Sequence, residues 1–208
     1  MSFYRDVICF KHCGKSIFTH DIATTCPLCH TPLGSSLTSI PLMLPYPFVK
    51  ACQYPCSVVL RPSDGDFLRF FVNQQNLHIG LTASDGSIFE YDLNGLKHTA
   101  TKNNGNVVWN QCILIAQVSL PWYDKWDNLL QQFFESTQWK KEDYHEQSHN
   151  CYTFILSFLE KLEHDELSCF CLDKVSFSQN FIVPKTQNAA KYITIHRKLN
   201  SCNYWIDK

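Results

Sequence analysis

Residues Leu77 to Leu93 read LHIGLTASDGSIFEYDL, two alternating runs on either side of a polar turn. Alternation of apolar and polar side chains is typical of a strand with one buried face, so the two runs predict a β-hairpin. Matching the apolar faces pairs Leu81 with Phe89 and leaves a three-residue loop, Ser84-Asp85-Gly86. The hairpin therefore has one apolar face and one polar face.

The polar face of this hairpin carries His78, Glu90 and Asp92. In the favoured register Asp92 lies across from His78, and Glu90 lies on the diagonal. A carboxylate beside an imidazole fixes its tautomer and raises its basicity, which is the role of the third member of a catalytic triad. The solvent side of an ordinary antiparallel sheet is polar too. From the hairpin alone, we favour the interpretation that these residues form the solvent-facing side of an ordinary sheet.

A second tract, His149-Asn150-Cys151-Tyr152, predicts the start of an amphipathic helix. Asn150 is a good N-cap, and Cys151 is then the first helical residue, where the helix dipole lowers the pKa of a thiol. A thiol and an imidazole are the two parts of a cysteine nucleophile with its base. The tract predicts Cys151 as the nucleophile and His78 as the base; a buried structural cysteine is the alternative.

The first 36 residues contain a cysteine-rich segment with metal-ligand spacing. Cys26-Pro27-Leu28-Cys29 is a knuckle that brings two thiolates to one tetrahedral ion, and Cys13 is the third ligand. The fourth is Cys9 or His12, and spacing alone favours Cys9. Four protein ligands leave no open position, so the segment predicts a structural zinc site; free thiols or a redox pair are the alternative. Two further histidines are reserve ligands: His20 and His30.

The rest of the chain alternates between β-like and helical patterns. Residues 37–62 hold five prolines and predict an irregular connector or an edge element. Short apolar runs between turn signals from Phe67 to Leu120 predict an antiparallel sheet, and Pro121 begins a helical pattern that reaches about Thr137. Two later strands are predicted: Asn180–Val183 and Tyr192–Arg197.

Together these patterns predict an α+β protein with an antiparallel sheet packed on helices. A zinc-ribbon-like module at residues 1–36 precedes the main domain at residues 37–208.

Composition excludes several functions. The chain has 208 residues, a net charge of −1 and 11 cysteines, and 45% of its residues are hydrophobic. The near-neutral charge argues against non-specific nucleic-acid binding. No apolar run is long enough to span a membrane, and charged residues interrupt the segment where a signal peptide would lie. We therefore expect a cytoplasmic or nuclear protein, where paired cysteines more often bind metal than form disulfides.

With these motifs in view, the chain resembles the family of makorin-2 opposite strand proteins over nearly its full length. The shared pattern includes the following segments: His12-Cys13, Cys26-Pro27-Leu28-Cys29, Leu60-Arg61-Pro62, Leu77-His78-Ile79-Gly80-Leu81-Thr82, Trp126-Asp127, His149-Asn150-Cys151-Tyr152 and Val183-Pro184. In that family the position of Cys9 is not a cysteine. The resemblance therefore implies His12, with Cys13, Cys26 and Cys29, as the zinc ligands.

The central domain also resembles circularly permuted papain-like proteins, the lecithin–retinol acyltransferase group and the PPPDE-type peptidases. In these groups a strand histidine precedes a helix cysteine, which implies His78 as the base and Cys151 as the nucleophile. Glu90 stands where the acyltransferases carry a second histidine, and a carboxylate there can orient His78. The resemblance implies a thiol hydrolase or acyltransferase acting on an amide or ester. The rival hypothesis is a non-catalytic adaptor that docks a protein partner through its zinc module.

Overall fold

The computed structural model describes residues 5–34, 40–72, 75–100, 109–171 and 173–207. It is a mixed α+β protein with antiparallel sheets and helices. Two compact units are present: residues 1–47 with 188–208, and residues 48–187. The predicted boundary at residue 36 lies outside the described residues. The grouping of residues 188–208 with residues 1–47 was not predicted, because no local sequence pattern indicates it.

The unit that contains the N-terminus is built on a four-stranded antiparallel sheet in the order β3-β1-β2-β9. The strands are β1 (Ile8–His12), β2 (Lys15–Thr19), β3 (Leu42–Met43) and β9 (Tyr204–Ile206). A cluster of Phe10, Ile17, Cys26 and Leu33 lies in its core. Further buried apolar residues of this unit include Val7, Phe18, Ile193 and Leu199.

The larger unit contains a five-stranded antiparallel sheet in the order β7-β6-β5-β4-β8. The strands are β4 (Ser57–Pro62), β5 (Leu77–Thr82), β6 (Ile88–Asp92), β7 (Gly95–Thr99) and β8 (Ile113–Gln117). The predicted pairing of Leu81 with Phe89 is confirmed. Strand β5 therefore lies inside the sheet, between β4 and β6.

The helices are α1 (Tyr123–Glu135), α2 (Cys151–Leu162), α3 (Asp165–Ser168), α4 (Lys174–Phe177) and α5 (Val183–Leu199). Helices α1 and α2 occur where the sequence predicts them, and each buries an apolar stripe at helical spacing. Helix α2 packs on β5, β6 and α1, so its first residue is positioned by the sheet and the core. Among the described residues, no helix combines the length and apolarity needed to cross a membrane.

Two predicted secondary-structure assignments are wrong. The predicted strands Asn180–Val183 and Tyr192–Arg197 are helical, in a π-helical turn (Ser178–Ile182) followed by α5. The buried positions of α5 show why: they recur three or four residues apart, at Ala189, Tyr192, Ile193, His196 and Leu199.

The prediction of an irregular connector or edge element for residues 37–62 is also wrong where β4 lies, because β4 is an interior strand between β5 and β8. Its residues Val58, Val59 and Leu60 are fully buried. Pro62 is tolerated because it stands at the strand's end.

Candidate functional site

Cys151 occupies the first position of α2, as predicted, and Asn150 caps the helix. The Asn150 side chain accepts hydrogen bonds from the backbone N–H of Tyr152 at 2.9 Å and of Thr153 at 3.3 Å. Thr153 returns the contact, because its hydroxyl accepts from the Asn150 N–H at 2.7 Å. This reciprocal capping box fixes the start of the helix, and with it the thiol, which is almost fully buried.

His78 projects from β5 and meets Glu90 on β6. Its Nε2 lies 2.9 Å from Glu90 Oε2, and both side chains are buried. Glu90 is ionised and can only accept, so His78 carries a proton on Nε2. The other ring nitrogen, Nδ1, takes no part in that contact, and Cys151 is close enough to His78 for the two side chains to shift each other's pKa. The structure thus brings together the three predicted catalytic residues.

The pKa values in this group reflect those contacts. Burial lowers the pKa of His78, but hydrogen bonds with Cys151 and Glu90 raise it more, to about 9. Burial raises the pKa of Cys151, but the hydrogen bond with His78, its positive charge and backbone hydrogen bonds with Ile79 and Tyr152 lower it below the ordinary value. Both directions favour a thiolate–imidazolium pair.

Glu90 is itself held by groups that the sequence did not reveal. The guanidinium of Arg61 lies 3.4 Å from Glu90 Oε2 and 4.9 Å from the ring centroid of Trp109. Burial raises the pKa of Glu90, but His78 and Arg61 lower it more, to about 2. Arg61 is paired with His78 across β4 and β5. Arg61 could have been found from the sequence only by predicting that β4 pairs with β5.

Gly80 leaves the space that this arrangement needs. A Cβ atom on Gly80 would lie 2.8 Å from the Trp109 ring, closer than side-chain contacts allow. The indole therefore packs directly on the strand that carries His78. Trp109 in turn stacks with the Arg61 guanidinium behind Glu90.

Other polar groups near these motifs have different partners. Asp92, the other carboxylate predicted on the polar face, pairs with Lys97 and not with His78. His149 Nδ1 lies 3.0 Å from the Tyr91 hydroxyl, and its ring stacks on Trp139 with centroids 4.7 Å apart. His149 thus packs in an aromatic cluster, and the carboxylate that contacts His78 is that of Glu90.

Cys151 and His78 lie in the wall of a cleft of about 520 Å³. Helical and loop residues contribute Tyr144, Glu146, Asn150, Tyr152, Lys174 and Ser178 to its lining, and the sheet side contributes Ser63, Gln75, Asn76 and Leu77. Its volume is within the usual range of small-molecule and peptide sites. A reactive thiol beside such a cleft can meet a bound carbonyl group.

A second constellation lies in the N-terminal segment. The ligand atoms of His12, Cys13, Cys26 and Cys29 all lie within 4.8 Å of one another. His12 Nδ1 is 3.1 Å from the sulfur of Cys13 and 3.5 Å from that of Cys29. Four such atoms at this separation can surround one metal ion in tetrahedral geometry.

Two tight turns present the four ligands. Cys13 follows β1 in a two-residue turn with Gly14, and both residues have positive φ, 52° and 69°. At the knuckle, the Leu28 N–H donates to the Cys26 sulfur at 3.3 Å, while Cys26 is buried and Cys29 is exposed. Hydrogen bonding with Cys29 raises the pKa of Cys13 to about 11, because neighbouring thiols resist successive deprotonation. A bound cation stabilises the thiolates and so favours their deprotonation.

The structure also separates the alternative ligands from the cluster. Cys9, which spacing alone favoured, is not among the four grouped residues, and His12 takes the fourth place. His20 Nδ1 instead lies 2.9 Å from the carbonyl oxygen of Asp6, and His30 is exposed in a left-handed conformation. The four grouped residues are therefore those that the family resemblance implies.

The fold and these two sites define a mixed α+β protein with a cysteine–histidine–glutamate group and a Cys/His cluster near the N-terminus. The chain belongs to the DUF4796 family: the model described as DUF4796 C-terminal matches residues 41–199, and DUF4796 N-terminal matches residues 5–33. It is similar to the MKRN2 opposite strand protein of Homo sapiens, with 31% identity over 206 residues, 97% of this chain and 89% of the relative. No solved structure matches the chain significantly.

The family predicted from sequence is thus confirmed. The likeness of the central domain to permuted papain-like proteins stays a prediction.

Proposed function

We propose that this protein is a cysteine hydrolase or acyltransferase acting on an amide or ester. Cys151 is the nucleophile, His78 the base and acid, and Glu90 the residue that orients His78. One observation carries the proposal: His78, which is hydrogen-bonded to Glu90, lies with the Cys151 thiol in the wall of one cleft.

The first half of the reaction forms a thioester. The Cys151 thiolate attacks the substrate carbonyl carbon, forming a C–S bond while the carbonyl electron pair moves to oxygen. As the tetrahedral intermediate collapses, the bond to the leaving nitrogen or oxygen breaks and His78 gives that atom its proton. Glu90, with its low pKa, stays ionised and stabilises the imidazolium before this transfer.

The second half regenerates the enzyme. His78 takes a proton from water, or from an acceptor hydroxyl or amine, whose oxygen or nitrogen attacks the thioester carbon. The C–S bond then breaks and the thiolate leaves. We assign oxyanion stabilisation to the backbone N–H of Cys151, the first-turn donor that the Asn150 side chain does not engage.

The architecture of the larger unit, residues 48–187, supports a permuted papain-like interpretation of the main domain. His78 lies on an interior strand, and Cys151 begins a helix packed on that strand. We also propose a reducing compartment, the cytoplasm or nucleus, in which the eleven cysteines of the chain remain thiols.

The test is a cysteine-resolved iodoacetamide rate profile at neutral pH, read by mass spectrometry. Cys151 should react about tenfold or more faster than Cys52, an exposed thiol without a histidine partner, despite its own burial. His78→Asn should remove that advantage. A Cys151 rate as slow as that of the buried Cys56 would refute the enzyme proposal.

A second proposal follows from the N-terminal cluster. His12, Cys13, Cys26 and Cys29 fit a structural zinc ion, and the module at residues 1–36 would then be zinc-ribbon-like. With all four positions filled by protein, the ion holds the fold and takes no part in chemistry. If the Cys151 profile is slow, the module supports the rival function, a non-catalytic adaptor that docks a protein partner.

A further inference from the structure

The cleft beside Cys151 has a lining that discriminates between classes of acyl donor. Its described lining residues are mostly polar, and Leu77 is the one aliphatic side chain among them. A long hydrocarbon chain would gain little there, because hydrophobic stabilisation requires apolar area to leave water against apolar area. Amide groups, by contrast, would find hydrogen-bonding side chains on both walls: Ser63, Gln75, Asn76 and Ser178.

Two tyrosines flank the thiol within this cleft. The charge of Cys151 contributes to raising the pKa of Tyr144 and of Tyr152, after the larger effect of burial in each case. Both tyrosines line the same cleft as the reacting sulfur, and the raised pKa keeps each hydroxyl protonated as a donor. Flat aromatic faces with a polar tip suit the alternating amides of a peptide chain.

Opposite charges stand beside the two tyrosines. The Lys174 ammonium lies 4.9 Å from the ring centroid of Tyr152, and Glu146 is close enough to Tyr144 to raise its pKa. Both charged residues line the cleft and are exposed, and neither has an ion-pair partner among the described residues. Each is thus available to a charged group on a bound molecule.

We propose that the acyl donor is a polar, peptide-type amide that carries charged side chains, and not a fatty acyl ester. Lys174 binds an acidic group of this donor and Glu146 a basic one. This inference rests on the proposed cysteine chemistry and names the substrate class of that same site.

The experiment compares three alkylating probes on the full-length protein. They are acetyl-glutamyl-glycyl, acetyl-lysyl-glycyl and pentadecyl chloromethyl ketone, each of which forms a thioether with Cys151 as chloride leaves. Every rate is divided by the iodoacetamide rate of the same variant, so that general thiol reactivity cancels. Both peptide probes should react faster than the pentadecyl probe.

Charge-removing variants then test the two recognition residues. Lys174→Met should slow the glutamyl probe about threefold, and Glu146→Gln should slow the lysyl probe by a similar factor, as expected for exposed ion pairs. Matched controls are Lys185→Met and Glu166→Gln, exposed residues outside the cleft, which should leave both ratios unchanged.

The outcomes separate this inference from the proposed function. Fast iodoacetamide labelling of Cys151 with a preference for the pentadecyl probe would overturn the substrate class and leave the thiol chemistry standing. Equal effects of cleft and control variants would overturn the roles of Lys174 and Glu146. Slow labelling of Cys151 by every probe would overturn both proposals.

Discussion

The Cys151 site and the His12 cluster use the same two residue types in opposite surroundings. Cys151 and His78 are buried, and each is fixed by regular structure: a capped helix and an interior strand. In the cluster, Cys13 and Cys29 are exposed and are presented by turns. The first site is built by regular elements and the core around them, whereas the second gathers its four residues largely on turns.

This difference teaches what each arrangement can do. At Cys151 a single thiol faces one imidazole backed by Glu90, so its pKa falls and a nucleophile results. At the cluster three thiols lie together: hydrogen bonding with Cys29 raises the pKa of Cys13 to about 11, and hydrogen bonds with Thr31 and Cys13 lower the pKa of Cys29 to about 6. One arrangement activates a single thiol beside a base, whereas the other distributes protons among several thiols that one shared cation can bind.

Metal removal should produce the largest effect. Structural zinc sites generally contribute on the order of 10 kcal/mol to folding. We expect about one zinc per chain, and Cys29→Ser should lose the metal and lower the unfolding temperature strongly. Elemental analysis and thermal unfolding measure both quantities.

The matched control for this prediction is Cys9→Ser, because Cys9 lies in the same segment but outside the cluster. It should keep its zinc. Metal-free folded protein, or equal metal loss in both variants, would contradict the ligand assignment.

The two sites also differ in how far sequence predicts them. The Glu90 contact follows from the apolar alternation that sets the hairpin register, and the Cys151 position follows from the Asn150 cap. Both are local signals. Arg61 and Trp109 come from segments whose pairing depends on the whole sheet, so no local pattern reveals them.

The C-terminus carries both kinds of signal. Short apolar runs there predict strands, whereas the buried positions of α5 between Ala189 and Leu199 follow a helical spacing, which is a local signal. The pairing of β9 with β2 joins residues nearly two hundred positions apart, for example Trp205 with Phe18. Only tertiary structure selects such a partner.

An intermediate effect is expected at Glu90. Replacing it by Gln keeps the shape but removes the carboxylate hydrogen bond that, after the interaction with Cys151, raises the pKa of His78. The proton affinity of His78 should fall about tenfold or more, so imidazolium is lost at lower pH. NMR titration of the His78 ring measures this change.

Asp92→Asn is the control for this substitution, because Asp92 pairs with Lys97 and not with His78. It should leave the His78 titration in place. If Glu90→Gln also leaves the His78 titration unchanged, Glu90 does not raise the pKa of His78. The proposed Cys151 site would then consist of Cys151 and His78 without Glu90.

The smallest effect is expected at the helix cap. Asn150→Ala removes the acceptor of two backbone N–H groups and should cost about 1 kcal/mol of unfolding free energy, measured by urea denaturation. Asn150→Ser keeps a capping oxygen and should recover most of that loss. Because the sheet and core also position α2, the variant should fold and alkylate Cys151 only modestly more slowly. Complete loss of Cys151 reactivity would show that the cap alone positions the thiol. The Cys151 site would then depend on a single residue, as the metal cluster is expected to depend on Cys29.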